Sequence, residues 1–362
     1  MSVRTLYVFL VGAILALGCG LAFGEGANEP GLFGGLRGGA TWQDRERFEY
    51  GQVAPDSNDA GTTNASAQDP EEFDIEGWGG RGEVYLGNAF SDTFSASARF
   101  SFTLFEQDDD FARTDGVASP AFWVPYLDAG LTVGGGARPL RAGIYGTRFR
   151  TAAVELDYES QIYDGGIDLA ITLDPAAENR IRLIFGPAFG AVNQEFDYQV
   201  VGRAQGGGLG EGTIIQTDED VDSFYGGAKL GAELTHPFSD CISFVGGFDG
   251  YLLYQSSELD GEQNVPGAGG TTISTIEVDD DEDEFAPRIE VRAGLTIRVS
   301  DRIRIGASYL FGAWFNAATV DNPEIVLVAS EGDNRWVGDE AAHLGSETLL
   351  THTAMVTIDF DF

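Results

Sequence analysis

Two late segments of the sequence carry arginine at alternate positions. Between 285 and 316 these are Arg288, Arg292, Arg298, Arg302 and Arg304. An earlier part of the chain carries carboxylates in the same way, at Glu155, Asp157, Glu159 and Asp168. Because alternate residues of an extended chain point to one side, each set is expected to line one surface. Two facing surfaces of opposite charge would create an electric field between them, which orders polar solutes that pass through.

The same charges have a second interpretation, in which they neutralise one another. Glu290 lies between Arg288 and Arg292 on the same side of the chain, where it can pair with either. Paired charges of this kind would fill the space between the surfaces. The sequence therefore leaves open whether an interior lined by these residues is a channel or is sealed.

Runs of carboxylates occupy several other segments, among them 108–110, 218–222 and 279–284. Asp279, Asp281 and Asp283, with Glu290 further on, imitate the ligand spacing of an EF-hand calcium loop. That loop requires glycine at its sixth position, and Glu284 occupies it here. We therefore expect no specific metal or cofactor site, but a solvated acidic surface with at most loosely bound Ca²⁺.

Hydrolysis by general acid–base catalysis would need a histidine close to a carboxylate or a serine. The sequence has His236, His343 and His352. Of these, His343 has both Asp339 and Ser346 nearby in the chain. A hydrolase centred on His343 is an alternative, although the sequence as a whole favours a protein that is not an enzyme.

The composition excludes several classes of protein. The 362 residues include 58 Asp plus Glu and 21 Lys plus Arg, for a net charge of −37. A nucleic-acid binder needs a basic face that replaces phosphate counterions, so this class is excluded. The chain is 43% hydrophobic with 25 Phe, too apolar for complete disorder. No apolar run after residue 24 is long enough for a membrane-spanning helix.

The first 24 residues are predicted to be a secretory signal peptide. Arg4 precedes an apolar run, and Ala22-Phe23-Gly24 provides small residues at the cleavage site. Cleavage there would leave 25–362 as one domain. The alternative is a lipoprotein in which Cys19 is lipidated.

Most of the remaining sequence alternates between apolar and polar residues, which predicts β-strands. Most predicted strands are about ten to fifteen residues long, whereas typical globular strands have about five or six. A strand that crosses a membrane at a tilt needs the greater length. Twelve strands are predicted, at 31–42, 73–86, 93–105, 122–133, 141–158, 166–173, 180–195, 222–236, 241–255, 285–299, 302–316 and 348–362.

The predicted connections alternate between short and long, apart from the short segment 159–165. Transmembrane β-barrels have this pattern, with short turns in the periplasm and long loops outside the cell. We therefore predict an all-β, antiparallel, up-and-down barrel of about twelve strands. Pro125 and Gly130 interrupt 122–133, so ten or fourteen strands are also possible. A secreted β-sandwich or solenoid is the soluble alternative.

The final strand places Ile358, Phe360 and Phe362 on one face and ends at Phe362. It resembles the terminal strand of bacterial outer-membrane barrels, which the barrel insertion machinery recognises. The segments SFYGGAKLGAELTHPFSD (223–240) and RIRIGASYLFGAWFNAATVDN (302–322) resemble barrels of planctomycete outer membranes and the related Legionella-type major outer membrane protein family. In the late strand, Ala307-Ser308 interrupts the family pattern before Tyr309.

The resemblance implies a porin-like barrel in the outer membrane of a Gram-negative bacterium, among its lipid and lipopolysaccharide. The expected function is passive diffusion of small hydrophilic solutes. The alternative is a closed structural or adhesive surface barrel that acts through its acidic external loops. The sequence leaves the solute and the oligomeric state open.

Overall fold

The structure is a computed structural model, and it describes residues 31–45, 48–54, 70–73, 75–114, 121–125, 146–204, 211–266, 273–322, 325–330, 333–338 and 341–362. The predicted signal peptide lies outside these residues, as do the predicted turn at 134–140 and much of 122–133. Within the described ranges, no helix has the length and hydropathy needed to cross a membrane.

The described part of the chain forms β-strands joined by turns. The strands are β1 (Leu32–Asp44), β2 (Phe48–Ala54), β3 (Pro70–Phe73), β4 (Glu76–Ala89), β5 (Phe94–Thr114), β6 (Ala121–Pro125), β7 (Gly146–Leu173), β8 (Arg180–Ala204), β9 (Glu211–Pro237), β10 (Ile242–Pro266), β11 (Ile273–Phe285), β12 (Arg288–Arg298), β13 (Ile303–Asp321), β14 (Ile325–Ser330), β15 (Asp333–Gly338) and β16 (His343–Asp361).

Ten of these strands close into one antiparallel ring, which confirms the predicted barrel. Each strand pairs with the next in the order β1, β4, β5, β7, β8, β9, β10, β12, β13 and β16, and β16 pairs with β1. β11 continues the line of β12 and pairs with β10. Closure gives each of the ten ring strands a hydrogen-bonded neighbour on both sides, as a chain surrounded by lipid requires.

Ten strands is the lower of the counts that the sequence allowed, and two segments explain the difference from twelve. The predicted strands 141–158 and 166–173 are parts of one continuous strand, β7. The predicted strand 122–133 is represented by the short β6, which pairs with the end of β7 and with β2 outside the ring.

The strands are strongly staggered. The stagger can be measured by stepping from each residue to its partner on the next strand. From Phe105 of β5 this path passes through Gly79 of β4 and Arg292 of β12 and reaches Thr172 of β7. The amide of Thr172 donates to Thr93 O, just before β5, at 2.8 Å. The path thus returns to β5 twelve residues below its start, at Thr93 instead of Phe105. A stagger of this size means that the strands tilt by about 40° from the barrel axis.

The two ends of the ring differ, as the alternation of connections predicted. At one end, here called the turn end, the strands are joined by short turns at 90–93, 174–179, 238–241 and 299–302. The two chain termini of the described ring also meet there, since Phe362 N donates to Leu32 O at 2.8 Å. The opposite end, the loop end, has the longer connections, including the β14–β15 hairpin.

Each long strand reverses its polarity pattern along its length. Near the turn end of β9, the exposed outer residues are Leu230 and Leu234, while the inner Lys229 is buried. Near the loop end of the same strand, the outer Asp218 is exposed and the inner Ile215 is buried. The reversal follows from the surroundings: lipid lies outside the lower part of the barrel and water outside the upper part.

Outward aromatic side chains mark the level at which the pattern reverses. Trp78, Phe224, Tyr254, Phe285 and Phe315 are all exposed on the outer surface. Such a girdle is typical of the membrane–water interface. β7 has 28 residues and β9 has 27, against about ten that a tilted strand needs to cross the hydrocarbon. The barrel therefore rises well above the membrane.

The upper parts of β13 and β16 leave the wall of the ring. β13 pairs with β12 only as far as Trp314, and β16 pairs with β1 only as far as Leu350. A bulge follows Trp314, and Asn316 there has a φ of 55°, which asparagine tolerates better than most residues. Beyond the bulge, 317–321 and 343–347 pair only with each other and form what we call the mouth hairpin. Ala317 and Ala318 are both buried, so the hairpin lies inside the barrel.

Candidate functional site: a filled lumen and an acidic outer wall

Three side-chain bridges cross the lumen, each between strands that are four steps apart in the ring. Arg81 Nη2 lies 3.5 Å from Glu290 Oε1. Arg99 Nη2 donates to Tyr251 Oη at 3.0 Å. Arg288 Nη1 lies 2.6 Å from Asp164 Oδ1. Contacts between opposite walls leave no continuous opening at this level of the described structure.

The bridges meet at a shared centre. Tyr251 Oη donates to Glu290 Oε2 at 2.8 Å, which joins the first bridge to the second. The Arg288 guanidinium lies 4.3 Å from the centre of the Tyr251 ring and 5.3 Å from that of Trp314. A desolvated cation is attracted by aromatic faces at these distances, so the third bridge is held in the same cluster.

A second layer of ion pairs lies nearer the turn end. Glu233 contacts two arginines, with Oε2 at 2.7 Å from Arg292 Nη2 and Oε1 at 3.3 Å from Arg182 Nη1. Arg37 Nη1 lies 2.6 Å from Glu83 Oε1 on the neighbouring strand. Mutual pairing compensates these charges for their removal from water.

Lys229, the only lysine of the sequence, completes this polar interior. Its Nζ lies 3.1 Å from Asp168 Oδ2 and 3.4 Å from Asp249 Oδ2. Among these charged groups remains a cavity of about 20 Å³. A space of this size holds a buried water molecule but not a solute.

The lumen is also closed above the three bridges. Arg45 follows β1 directly, forms an ion pair with Glu347 of the mouth hairpin and hydrogen-bonds to Tyr158 and Gln194. An apolar core covers this layer and consists of Ile75, Phe105, Val154, Leu156, Tyr158, Phe196, Tyr198, Val200, Ile215, Val221, Leu259, Ala318, Val320 and Leu344. The lumen is therefore filled at two levels, by paired charges at one and by apolar side chains at the other.

The arginines and carboxylates expected to face each other are distributed over three places. Arg288, Arg292 and Asp168 lie on the inner face, and each pairs with an opposite charge. Arg298 and Arg302 are exposed at the turn end. Arg304 lies there too, 3.1 Å from Asp361.

The position of the other three carboxylates differs from the prediction. Glu155, Asp157 and Glu159 lie on the outer face of β7, because the inward residues between them are Leu156 and Tyr158. The expectation assumed polar residues inside, which holds only where lipid surrounds the barrel. This part of β7 is above the membrane, so carboxylates face the water outside.

These outer carboxylates belong to a wall built by six neighbouring strands, β5 and β7–β11. One row of register partners contains Glu106, Glu159, Glu195, Asp220, Asp260 and Asp279. The row above it contains Asp108, Asp157, Asp197, Asp218, Glu262 and Glu277. Neighbouring strands are about 4.8 Å apart, so carboxylates repel one another along each row.

The repulsion affects the protonation of individual groups in this wall. Partial burial and the neighbouring Asp218 raise the pKa of Asp197 to about 6. Partial burial and Glu195 raise the pKa of Asp220 as well. The wall is thus a strongly acidic surface whose charge falls under mildly acidic conditions.

The residues that imitated a calcium loop lie in strands. Asp279, Asp281 and Asp283 are exposed on the outer face of β11, whereas Glu290 is buried in the lumen. An EF-hand needs its ligands to converge on one point, which a straight strand prevents. In the described ranges, no group of three or more His, Cys, Asp or Glu side chains is arranged to hold a metal ion.

His343 lies at the base of the mouth hairpin. Its Nε2 is 3.6 Å from Asp321 Oδ2, and its Nδ1 is 3.1 Å from Ala341 O. Ser346 is three residues away along β16 and therefore projects from the opposite face of the strand. Asp339 lies outside the described residues.

The terminal strand closes the ring. β16 pairs with β1 from Asp361 back to Leu350. Ile358 and Phe362 are exposed, and the Phe360 and Phe362 rings stack with their centres 6.3 Å apart. The C-terminal aromatic residues thus lie at the turn end, at the junction of the first and last strands.

Several important residues were missed by the sequence analysis. Arg81, Tyr251 and Arg45 each hold the lumen closed, yet each is a single residue in a segment of otherwise ordinary alternation. Arg99 had a usable signal, since it is the one charged residue on the polar face of 93–105. Partners across the lumen could not be assigned without the strand order and stagger.

A closed antiparallel ring with an apolar outer band, an aromatic girdle and a polar interior defines a transmembrane β-barrel. No family model matches the chain, and no curated protein matches it. Among solved structures, it is similar to the outer membrane protease OmpT from Escherichia coli, with 10% identity over 93% of this chain and 99% of that one and a TM-score of 0.46.

Two further solved structures are also similar to this chain. The translocator domain of the autotransporter NalP from Neisseria meningitidis is 13% identical, covering 99% of this chain and 97% of that one, with a TM-score of 0.33. A major outer membrane protein from Thermus thermophilus is 11% identical, covering 91% of this chain and 99% of that one, with a TM-score of 0.25.

Proposed function

We propose that the protein is an outer-membrane barrel with a closed lumen, which acts as a structural surface protein through its acidic outer wall. The observation that carries this proposal is the set of side-chain bridges across the lumen. Small barrels are filled by their own side chains, and ten strands are close to the eight-stranded limit at which this is complete. A filled barrel with long strands above the membrane favours a role for the exposed wall.

The orientation follows the usual arrangement of such barrels, with the turn end in the periplasm and the loop end outside the cell. The predicted signal peptide would direct the chain there, and Ile358, Phe360 and Phe362 would present the terminal strand to the insertion machinery. The acidic wall lies just above the aromatic girdle, at the level of lipopolysaccharide head groups. Its partners there would be divalent cations shared with anionic lipopolysaccharide.

A porin-like channel for small hydrophilic solutes is the competing function. It would require Arg81, Arg99 and Arg288 to separate from partners on the opposite wall, and the Arg45 layer to open as well. We also propose that the protein is not an enzyme. Loss of hydrolytic activity in His343→Ala would be the result that supports a hydrolase instead.

Conductance of the refolded mature chain in a planar bilayer tests the proposal. We expect a folded, heat-modifiable barrel that inserts and produces no discrete current steps. Discrete steps that grow with salt concentration would overturn the closed lumen and support the porin-like channel. Charge reversal at Arg292 should then also change the ion selectivity.

A further inference from the structure

The mouth hairpin depends on its contacts with the surrounding wall. A two-stranded ribbon is marginally stable by itself in water. Ala318 O accepts hydrogen bonds from Gln194 Nε2 at 2.8 Å and from Arg45 Nη2 at 3.3 Å. At the far end of the strand, Tyr198 Oη donates to Asn322 Oδ1 at 3.2 Å. Losing the contacts at one end would let the hairpin turn about the bulge at Asn316.

An uncompensated carboxyl group lies beside the far end of the hairpin. Glu219 is fully buried on the inner face of β9. Within the described part of the chain, neither of its carboxyl oxygens has a hydrogen bond of good geometry. Tyr198 and Asn322 are the polar side chains that influence it. Asn322, which directly follows the hairpin strand 317–321, is therefore also a neighbour of the Glu219 carboxyl group.

Among the side chains that the structure describes, the other elements around Glu219 provide no opposite charge. The core residues around it are apolar apart from the hydroxyl groups of Tyr158 and Tyr198. The buried polar residues nearest in register, Thr217 and Gln263, are uncharged, and Gln263 Nε2 donates to Thr217 Oγ1 at 3.2 Å.

The next charged groups are Asp280 of β11, which has the same charge sign and accepts from Leu344 N of the hairpin at 2.8 Å, and Arg45 and Glu347, which pair with each other. Asp218 and Asp220 flank Glu219 in the sequence but face outward, and they carry the same charge sign. Burial accordingly raises the pKa of Glu219 to about 8.

We propose that the mouth hairpin is a proton-controlled latch, folded into the barrel while Glu219 is protonated and released about Asn316 when Glu219 loses its proton to solvent. An ionised carboxylate cannot remain in this core without a partner. The strand that carries Glu219 and its two neighbours, β8 and β10, cannot move aside, since at this level each is hydrogen-bonded to a strand on both sides. The hairpin pairs only with itself, so its release admits water at the smallest loss of structure.

The latch goes beyond the closed lumen, because the bridges at the membrane level stay in place when the hairpin moves. Release exposes the inner face of the six-strand wall at the loop end. The molecule would then present an apolar surface outside the cell only under alkaline conditions.

Amide hydrogen exchange of the full mature chain in lipid, followed by mass spectrometry, tests the latch. Exchange times are adjusted at each pH so that intrinsic exchange is equal. We expect segments 317–321 and 343–347 to lose protection about tenfold per pH unit as the pH rises from 4.5 towards about 8, and to change little above that, where Glu219 is already ionised. In Glu219→Gln the protection of both segments should not change with pH. Glu258→Gln, at an exposed outer carboxylate of β10, is the matched control and should behave like the wild type.

Two results would overturn the latch: the same pH dependence in Glu219→Gln, or equal loss of protection in β12 within the membrane. If Glu219→Gln fails to fold, the pH dependence of exchange in the wild type is the test. Constant protection of the two hairpin segments from pH 6 to 10 would then reject the proposal. A current measurement in a planar bilayer at pH 9 distinguishes a failure of the latch from a failure of the closed lumen. A silent bilayer with an exchanging hairpin supports both proposals, whereas current steps overturn only the closed lumen.

Discussion

Among single residues, Glu290 is the one on which the lumen bridges depend most. It contacts Arg81 and Tyr251 directly, and Arg288 lies in the same cluster. Glu290→Ala would leave buried cations without their counter-charge, which costs about 3–5 kcal/mol. We expect a correspondingly lower free energy of unfolding, measured by urea titration of the barrel in lipid. Glu282→Ala, at an exposed position of β11, is the control and should change stability by less than about 0.5 kcal/mol.

Glu219 should make stability depend on pH over a defined window. Its carboxyl group has an ordinary pKa of 4.5 and a value of about 8 in the folded barrel. A raised pKa means that the folded state binds the proton more tightly, so stability is complete below pH 4.5 and falls as the pH rises towards 8. The slope attributable to this group is about 1.4 kcal/mol per pH unit.

Urea titrations of the wild type and Glu219→Gln at pH 5, 6.5 and 8 measure this contribution. The difference in stability between them should change steadily in favour of the variant as the pH rises. The pKa of Asp197, about 6, lies in this range, and that of Asp220 is raised as well, but both residues are present in both proteins and cancel in the difference. A difference that is constant with pH would contradict the assignment.

Among the elements, the mouth hairpin depends on the conformation of one residue. Asn316 has a φ of 55°, and its Nδ2 donates to Phe285 O at 3.1 Å. Asn316→Val places a β-branched residue in the left-handed region, and we expect a loss of about 1–3 kcal/mol. Asn316→Gly should lose less, because glycine adopts this conformation freely. Thermal unfolding of both variants checks the order, and equal losses would mean that the hydrogen bond matters more than the backbone.

The acidic wall should be sensitive to salt. Carboxylates directly opposite on neighbouring strands destabilise a sheet by about 0.2–1 kcal/mol per pair. Asp220→Asn removes one charge between Glu195 and Asp260, so we expect a higher melting temperature at about 10 mM salt. The gain should shrink at about 0.5 M, where screening is stronger. Asp240→Asn, in a turn, is the control, and a melting temperature lowered by Asp220→Asn would contradict the repulsion.

The same elements show how far the sequence could predict this structure. Strands such as 93–105 and 285–299 were predicted because lipid outside and polar groups inside enforce clean alternation. The segment 159–165 is predicted to be a connection because its polar residues break the alternation, yet it lies within β7, where Asp164 faces the lumen. For the same reason 256–284 was predicted to be a loop, although β10 extends to Pro266 and β11 starts at Ile273. Hydropathy identifies a barrel strand only where lipid surrounds it.

At the scale of the whole molecule, the ring geometry determines what the side chains can do. Ten strands with a stagger of twelve residues enclose a lumen narrow enough for arginine to reach the opposite wall, as Arg81, Arg99 and Arg288 all do. A wider barrel would leave the same charges apart, facing each other across water. The predicted electric field and the observed ion pairs are thus two outcomes of one sequence pattern, and the strand number decides between them.

This dependence leads to a prediction about the entire barrel. Replacing Arg81, Arg99, Tyr251 and Glu290 together by alanine removes two of the three bridges without leaving a member of either pair unpaired. The ring hydrogen bonds do not involve these side chains, so the barrel should still fold. In a planar bilayer we expect intermittent current steps, because the Arg288 bridge, the ion pairs nearer the turn end and the Arg45 layer then obstruct the lumen less completely. Alanine at the outer Glu106, Glu159, Asp220 and Asp260 is the control and should stay silent. A silent but folded quadruple variant would place the barrier at the groups that remain, which are the Arg288 bridge, the ion pairs nearer the turn end and the Arg45 layer.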